Sequence, residues 1–274
     1  RARTRLNARR EEVVDLDGRT IIISGVGPGL GRETALVAAR EGANVVLGAR
    51  TESTLESVAN EVDPTGAHVA YMVTDVTREE DCARLVDTAV ARFGGVDALV
   101  NCAALDTLFG GLESAGDFSA WRATFDVNLF GSLQMTRAAL GELRKSRGAV
   151  VMVSSQTQHH PPQAAPQMGY AASKSALTGA MRHLAQEVGG DGVRINEIAP
   201  GWMWGPPVET FVKMTAQGRN VDEDVVLTEL TSHMPLRRMA TDEEVAETIV
   251  FFASPRSAGV TGQTLLVNAG EIMR

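Results

Sequence analysis

The sequence contains little of what several protein classes require. Only two of its 274 residues are cysteines, Cys82 and Cys102, which are too few for a disulfide framework and have no partners at metal-ligand spacing. No apolar run approaches the ~20 residues that a membrane-spanning helix needs. The net charge of −8 argues against a nucleic-acid surface, which needs a concentrated basic face. We therefore expect a cytoplasmic protein with no metal site that binds neither nucleic acid nor membrane.

The start of the chain differs in composition from the rest. Its first ten residues are rich in arginine and lack an apolar segment, which excludes a secretory signal. We interpret residues 1–14 as a flexible N-terminal arm, although a transit peptide or a segment packed on another subunit would have a similar composition. The remaining length suits one large core, so residues 15–274 are predicted to form a single domain.

Beyond the arm, short apolar runs alternate with helical patterns. The predicted strands are 19–24, 44–48, 68–74, 97–101, 149–153, 193–198 and 263–267. The predicted helices include 32–41, 51–62, 78–93, 121–143 and 241–252. Strands separated by helices form a parallel sheet with helices on both faces. The expected fold class is therefore α/β, a Rossmann-type doubly wound parallel seven-stranded sheet, and ligands should bind beyond the carboxyl ends of its strands.

A glycine-rich loop follows the first predicted strand and precedes the first helix. Bare backbone N–H groups at a helix start can approach an anion closely, so this loop predicts a phosphate site. The alternative is a turn that is tight only for packing. The spacing GxxxGxG differs from the GxGxxG pattern of the commonest dinucleotide folds. The candidate contacts are Gly25, Gly27, Pro28, Gly29, Leu30 and Gly31.

The end of the second strand bears on the choice of dinucleotide. A protein that binds NAD usually offers an acidic group about 20 residues past the glycines, but Arg50 and Thr51 stand here. A guanidinium suits the 2′-phosphate of NADP. NADP(H) is therefore favoured and NAD(H) remains possible, since Arg50 could also be a solvated surface charge.

Other strand ends supply further candidate cofactor contacts. Asp75 and Val76 follow the third strand and are placed for an adenine edge. Small residues after the fourth strand would allow a cofactor to lie close to the backbone. These remaining candidates are Asn101, Ala103, Pro200, Gly201 and Met203.

A tyrosine and a lysine lie four residues apart on a predicted helix after the fifth strand. Tyr170 and Lys174 would share one helix face. A nearby ammonium favours the phenolate, so Lys174 is expected to lower the pKa of Tyr170 and suit it to proton transfer. Ser155, at the end of the fifth strand, could hold a substrate oxygen by a hydrogen bond. Asn128, inside a predicted helix where asparagine is unfavourable, suggests a buried hydrogen-bonding role.

These motifs together resemble the classical short-chain dehydrogenases/reductases from about Gly18 to Gly270. The matching segments are SGVGPGLG, Asp75-Val76, NCAA, DVNLFGS, Ser155, YAASK, RINEIAPG and TGQTLLVNAG. The resemblance implies a catalytic tetrad of Asn128, Ser155, Tyr170 and Lys174. It implies that Tyr170 is the acid/base, that Lys174 also holds the nicotinamide ribose, and that Asn128 anchors a relay water. The tetrad and the cofactor would interconvert a secondary alcohol and a ketone.

The resemblance also implies a substrate-loop insertion at about 202–235 and a homotetramer, with a dimer as the alternative. Trp202, Met203, Trp204 and Phe211 favour a small-molecule substrate that is lipophilic or cyclic, unless these side chains pack only on the protein. The common threonine after Pro200-Gly201 is replaced by Gly205. His159 and His160 lack a third ligand and are interpreted as part of a solvated or substrate-lining loop rather than a metal site.

Four functional interpretations are considered. The first is an NADP(H)-dependent alcohol dehydrogenase or ketoreductase. The second is an NAD-dependent alcohol dehydrogenase of the same family. The third is an epimerase or dehydratase, which the small C-terminal region disfavours. The fourth is a non-catalytic nucleotide-binding scaffold, which the complete tetrad disfavours.

Overall fold

The computed structural model describes residues 16–161 and 166–273, so the arm predicted at residues 1–14 lies outside the described residues. Seven parallel strands form the main sheet: β1 (Thr20–Ser24), β2 (Asn44–Ala49), β3 (Val69–Val73), β4 (Ala98–Asn101), β5 (Ala149–Val153), β6 (Arg194–Pro200) and β9 (Thr264–Val267). All seven correspond to predicted strands. The predicted fold class is confirmed.

Helices connect the strands and cover both faces of the sheet. They are α1 (Leu30–Arg40), α2 (Glu52–Val62), α3 (Glu79–Phe93), α4 (Ser119–Phe125), α5 (Ser132–Ser146), α6 (Met168–Val188), α7 (Pro206–Arg219), α8 (Glu223–Thr231) and α9 (Asp242–Ala253). Two short strands, β7 (Met203–Trp204) and β8 (Ala240–Thr241), pair with each other in parallel. No described helix is both long enough and apolar enough to span a membrane.

The strand order in the main sheet is β3-β2-β1-β4-β5-β6-β9. The chain moves outward in one direction from β1 to β3 and then in the other from β4. The loops after β1 and β4 therefore diverge, which leaves a crevice at the carboxyl edge between these neighbours. This order brings the ends of β1, β4, β5 and β6 to one edge, where the candidate residues lie.

The central strands are buried on both faces, and alternate side chains enter different cores. Ile21 and Ile23 pack with α1 and α9 on one face, whereas Ile22 packs with α3, α5 and α6 on the other. All three isoleucines have no exposed surface, as period-two alternation in a doubly covered sheet requires. Burial also raises the pKa of the Cys82 thiol to about 11, which suits a packing role.

The prediction of one continuous helix at 121–143 is wrong. Residues Asp126–Gly131 form a π-helical segment between α4 and α5. A π turn adds one residue to the helical repeat and often occurs at functional sites. Gly131 permits close packing here, since a Cβ at this position would lie 2.6 Å from Val76 Cγ2.

The segment 202–235 has its own helical structure. It contains β7, α7 and α8. Helices α7 and α8 pack around Val212, Ala216 and Val226, which form a small cluster separate from the two large cores. The segment therefore covers the carboxyl edge of the sheet.

Candidate active site

A cavity of about 840 Å³ opens at the carboxyl edge of the sheet. It extends from the glycine loop to helices α7 and α8. Six predicted site residues line it: Gly29, Leu30, Ser155, Tyr170, Gly201 and Met203. The other predicted residues lie in the glycine loop, at strand ends or behind this lining.

Tyr170, Lys174 and Ser155 form a cluster at the cavity wall. Lys174 lies one turn after Tyr170 on α6, and its Nζ is 5.7 Å from the tyrosine ring centroid. Lys174 Nζ donates a 2.7 Å hydrogen bond to the carbonyl oxygen of Val153 at the end of β5. The Ser155 and Tyr170 side chains hydrogen-bond to each other. The expected shared helix face is therefore present, and β5 and α6 position the three side chains.

The pKa of Tyr170 is shifted in the opposite direction from our expectation. Burial of the tyrosine hydroxyl raises its pKa, and the nearby Asp106 carboxylate raises it further. The hydrogen bond to Ser155 lowers this pKa but does not offset those effects. Lys174 does not offset these effects on the pKa of Tyr170, and burial lowers the pKa of Lys174 itself to about 8. Tyr170 is consequently protonated at neutral pH and can donate a proton.

Asn128 lies in the π-helical segment and is completely buried. Its Oδ1 accepts a 2.7 Å hydrogen bond from the Leu105 amide, and its Nδ2 donates to Leu105 O and to Ser173 Oγ at 3.1 and 3.0 Å. The side chain thus joins the loop after β4 to α6. The expected buried hydrogen-bonding role is present, and through Ser173 it supports the turn between Tyr170 and Lys174.

The glycines of the loop after β1 have different physical roles. Gly25 has φ +97°, and a Cβ there would lie 2.1 Å from Ala103 N. A Cβ on Gly31 would lie 2.4 Å from Gly25 O. These two glycines therefore permit tight packing, whereas a Cβ on Gly27 would meet no described atom within 4 Å. The open backbone at Gly27 and Gly29 is where an anion can approach.

The ends of β2 and β3 place Arg50 beside Asp75. Arg50 is exposed, and the adjacent Thr51 is the N-cap residue of α2. The Asp75 carboxylate accepts hydrogen bonds from the Thr77 amide and hydroxyl at 2.9 and 2.7 Å. These bonds lower the pKa of Asp75, and the Arg50 charge lowers it further. The next residue, Val76, is buried, so the edge combines an exposed cation with a buried apolar side chain.

The ends of β4 and β6 are shaped mainly by the backbone. Asn101 is buried and donates a 3.0 Å hydrogen bond to Thr136 Oγ1, while the Ala103 amide donates to Ser24 O. Pro200 is the last residue of β6. A Cβ on the following Gly201 would lie 2.7 Å from Asn268 Cβ, so glycine allows this close packing.

Several polar residues of the cavity were not predicted as site residues: Asp106, Gln156, His233, Asp242 and Glu271. Asp242 is the first residue of α9, and its Oδ2 lies 3.5 Å from where a Cβ on Gly29 would be. Burial, followed by the charge of Glu33, raises the pKa of Asp242. No local pattern distinguishes these five residues from ordinary polar positions. Only His233 falls in a segment that we expected to contact substrate.

Comparison with known proteins agrees with this geometry. Residues 25–271 match the family model described as enoyl-(acyl carrier protein) reductase. The chain is 34% identical to the short-chain reductase protein NovJ of Streptomyces niveus, over 91% of this chain and 92% of that protein. It is 31% identical to 3-oxoacyl-(acyl-carrier-protein) reductase FabG of Thermotoga maritima, over 94% of this chain and 99% of that protein.

A solved structure of L-sorbose reductase from Gluconobacter frateurii, complexed with NADPH and L-sorbose, has a similar fold. Its TM-score to this chain is 0.88 at 27% identity, and the match covers 96% of this chain and 99% of that one. The chain belongs to the classical short-chain dehydrogenase/reductase family. It is an oxidoreductase that acts on alcohol and carbonyl groups with a nicotinamide cofactor.

Proposed function

We propose that this protein is an NADP(H)-dependent oxidoreductase that interconverts a secondary alcohol and a ketone, with a lipophilic or cyclic substrate. The observation that carries the proposal is that Ser155 and Tyr170 line the large cavity, with the buried Lys174 beside Tyr170. A hydroxyl pair with a buried cation beside it can hold and protonate a carbonyl oxygen.

Ser155 and Tyr170 have different roles in the proposed proton transfer. Ser155 holds the substrate oxygen by a hydrogen bond, and Tyr170 donates its proton to that oxygen as the alcohol forms. When bound, a reduced nicotinamide cofactor supplies the hydride that adds to the carbonyl carbon. In oxidation Tyr170 takes the proton back. The raised pKa keeps Tyr170 protonated near neutral pH, which is the form that reduction of a carbonyl requires.

Lys174 has two roles in this proposal. Its pKa of about 8 leaves the ammonium mainly charged at pH 7, where it stabilises the phenolate that remains after proton transfer. The hydrogen bond to Val153 holds its position, from which the ammonium would bind the nicotinamide ribose of a cofactor. Asn128 supports this arrangement from behind, through its hydrogen bond to Ser173. The relay water that the family resemblance implies would bind on this side of Lys174.

The residues at the end of β2 and in the glycine loop support the assignment of NADP(H) as the cofactor. The exposed Arg50 guanidinium can pair with a 2′-phosphate, and an acidic group that would hold a free ribose is absent at Ala49, Arg50 and Thr51. The loop fits a pyrophosphate because Gly27 presents open backbone and Gly29 has only the Asp242 carboxyl nearby. Asp242 is the group that fits an anion poorly, because its carboxyl lies close to Gly29.

Two further features support the substrate class and the assembly. Trp202 and Phe211 pack with their ring centroids 5.4 Å apart at the cavity wall, which offers an apolar face to a ring-shaped substrate. Phe130 is 53% exposed on the π-helical segment, which suits a subunit contact in the proposed homotetramer. Light scattering during size-exclusion chromatography distinguishes a tetramer from a dimer.

Fluorescence titration of the protein with NADPH and with NADH tests the cofactor assignment. We expect NADPH to bind at least about tenfold tighter, and Arg50→Ala to remove most of this preference, since a charge-assisted hydrogen bond is lost. Arg137→Ala, which removes an exposed arginine of α5, is the control and should leave both affinities unchanged.

Other outcomes of this titration favour the alternatives. Tighter binding of NADH would support the NAD-dependent dehydrogenase. Absence of binding by either dinucleotide would contradict the proposal and favour the scaffold interpretation.

A further inference from the structure

A carboxylate at the opposite end of the cavity from the glycine loop is held by two polar side chains. Glu271 Oε2 accepts a 2.6 Å hydrogen bond from Gln156 Nε2, and Glu271 Oε1 lies 3.1 Å from His233 Nε2. All three residues line the cavity that contains Tyr170. Gln156 directly follows Ser155 in the chain, so this network is adjacent to the proposed proton-transfer residues.

The last described turn of the chain holds this network in a fixed position. Asn268 Nδ2 donates to Gln156 Oε1 at 3.0 Å, and the Glu271 amide donates to Asn268 O at 3.0 Å. Gly270 has φ +85°, and a Cβ there would lie 2.8 Å from Pro235 Cγ, so only glycine allows this turn. The Glu271 side chain is only 11% exposed. Its position is therefore determined before any ligand binds.

This carboxylate retains capacity to accept hydrogen bonds. An ionised carboxylate has about four lone-pair positions, and Gln156 and His233 occupy one on each oxygen. The remaining positions suit a donor that enters the cavity. Glu229 also lines the cavity, but Arg219 already binds both of its oxygens, at 2.6 and 2.8 Å.

The charge balance of the cavity favours a neutral donor over an anion. Among the described residues that line it, four are acidic (Asp106, Glu229, Asp242 and Glu271), and none is lysine or arginine. Arg219 neutralises Glu229, which leaves three acidic side chains without a lysine or arginine partner in the described lining. A carboxylate or phosphate on the substrate would be repelled in a partly desolvated space. A hydroxyl would donate to Glu271 without this penalty.

We propose that Glu271 is a specificity-determining residue that accepts a hydrogen bond from a substrate hydroxyl remote from the reacting carbonyl. The preferred substrate is then a hydroxylated ketone whose ring or chain packs against Trp202 and Phe211. Ketones that carry an anionic group, including those joined to an acidic acyl carrier, bind poorly. This assignment rests on the proposed function, because it places the reacting carbonyl at Tyr170.

Three cyclic ketones that differ in one substituent test the assignment. They are cyclohexanone, 4-hydroxycyclohexanone and 4-oxocyclohexanecarboxylate, each reduced with NADPH. We expect kcat/KM to be highest for the hydroxyl compound and lowest for the carboxylate, with at least about fivefold between successive compounds. Most of the difference should lie in KM, because the substituent is remote from the reacting carbon.

Two matched variants separate the hydrogen bond from the general charge. Glu271→Gln keeps the shape and can accept the Gln156 bond but removes the charged acceptor. It should reduce kcat/KM for 4-hydroxycyclohexanone about fivefold while changing cyclohexanone little. Glu229→Gln removes a carboxylate already paired with Arg219 and should leave the ratio between these two ketones unchanged. An equal loss of that ratio in both variants would overturn the role of Glu271.

Binding of the corresponding alcohols provides a measurement that does not depend on turnover. Dissociation constants for cyclohexanol, cyclohexane-1,4-diol and 4-hydroxycyclohexanecarboxylate are measured by calorimetry with wild-type protein and Glu271→Gln. Tighter binding of the diol, lost in the variant, supports the assignment even if no ketone is reduced, in which case only the proposed function fails. Equal binding of the three alcohols by the wild type, or tightest binding of the carboxylate, overturns the assignment whether or not the variant is stable.

Discussion

The two ends of the cavity are built by different means. The glycine-loop end is formed mainly by backbone from one continuous segment, residues 24–31, and its open positions are Gly27 and Gly29. The opposite end is formed by side chains from four separate parts of the chain, represented by Gln156, Trp202, His233 and Glu271. The first is joined to one large core through Val26 and Leu30, whereas the second is covered by the small cluster under α7 and α8.

This difference explains why one fold can serve many substrates. A backbone cradle recognises phosphate groups that every nicotinamide cofactor shares, so it tolerates little variation. Side chains on a separate cover can change without disturbing the sheet. Changes at the glycine-loop end should therefore alter cofactor binding or folding, and changes at the opposite end should alter selectivity.

The largest expected effect is a loss of kcat on substitution of Tyr170, which lies between the two ends of the cavity. Tyr170→Phe removes the proton donor while keeping the ring, so kcat should fall about 10²–10⁴-fold with cofactor affinity unchanged. Steady-state kinetics and dinucleotide titration measure the two effects separately. Tyr71→Phe changes the other tyrosine, which is 36% exposed, and should leave kcat unaltered. A fully active Tyr170→Phe enzyme would exclude the proposed acid/base role.

Two glycines of the same loop should respond differently to alanine. Gly25→Ala places a Cβ against the Ala103 backbone at a φ of +97°, so it should destabilise the fold by about 3 kcal/mol or more. Gly27→Ala meets no described atom and should leave the unfolding free energy within about 0.5 kcal/mol while weakening NADPH binding. Denaturant unfolding and titration provide the measurements. Equal loss of stability in both variants would contradict the division between packing and anion-binding glycines.

Lys174→Met should stabilise the protein at neutral pH while impairing turnover. The pKa of Lys174 is about 8 in the fold against an ordinary value of 10.5, so the buried charge opposes folding at pH 7. Between these values the unfolded chain binds more protons, and wild-type stability rises with pH. Removal of the charge, less the lost bond to Val153, should add about 1–2 kcal/mol at pH 7.

Thermal melts at pH 7 and pH 10.5 measure this effect. The gain of Lys174→Met over the wild type should disappear near pH 10.5, where the buried lysine of the wild type is neutral. Lys213→Met, on the exposed side of α7, should give the same difference from the wild type at both pH values. A gain in Lys174→Met that does not depend on pH would mean that lysine burial is not its cause.

The smallest effect is expected at Asp242, whose side chain lies close to the backbone of the glycine loop. Asp242→Asn removes a carboxyl group close to Gly29, so NADPH should bind about threefold tighter. The affinity of the wild type should also rise as pH falls through the raised pKa of Asp242, and this dependence should weaken in the variant. Glu243→Gln, which changes a neighbouring carboxylate bound by Arg40, serves as the control. Weaker binding in Asp242→Asn would show that this carboxyl supports the site.

Much of the fold was predictable because its signals are local. The triplet Ile21-Ile22-Ile23 indicates a strand buried on both faces, and the glycines after it indicate a tight turn into a helix. The spacing of Tyr170 and Lys174 indicates a shared helix face, and their side chains are neighbours. The roles of these residues in cofactor binding and catalysis stay predictions.

Other features depend on neighbours that are distant in sequence. The π-helical segment at Asn128 forms where the side chain bonds to Leu105 and Ser173, which no helical periodicity reveals. The sign of the Tyr170 pKa shift was predicted wrongly because it is decided by burial and by Asp106, which lies far away in the chain.

The sequence by itself determined the alternation of strands and helices, the glycine turn and the tyrosine–lysine pair, because each depends on residues within a few positions of one another. Only the tertiary structure decided that Gln156, His233 and Glu271 meet beside Ser155. These side chains are brought together by the parallel pairing of β6 with β9 and by the turn at Gly270, which has a φ of +85° and packs against Pro235. A hydrogen-bond network between distant segments produces no periodic pattern in the sequence. It arises from tertiary packing and therefore could not be predicted from local sequence.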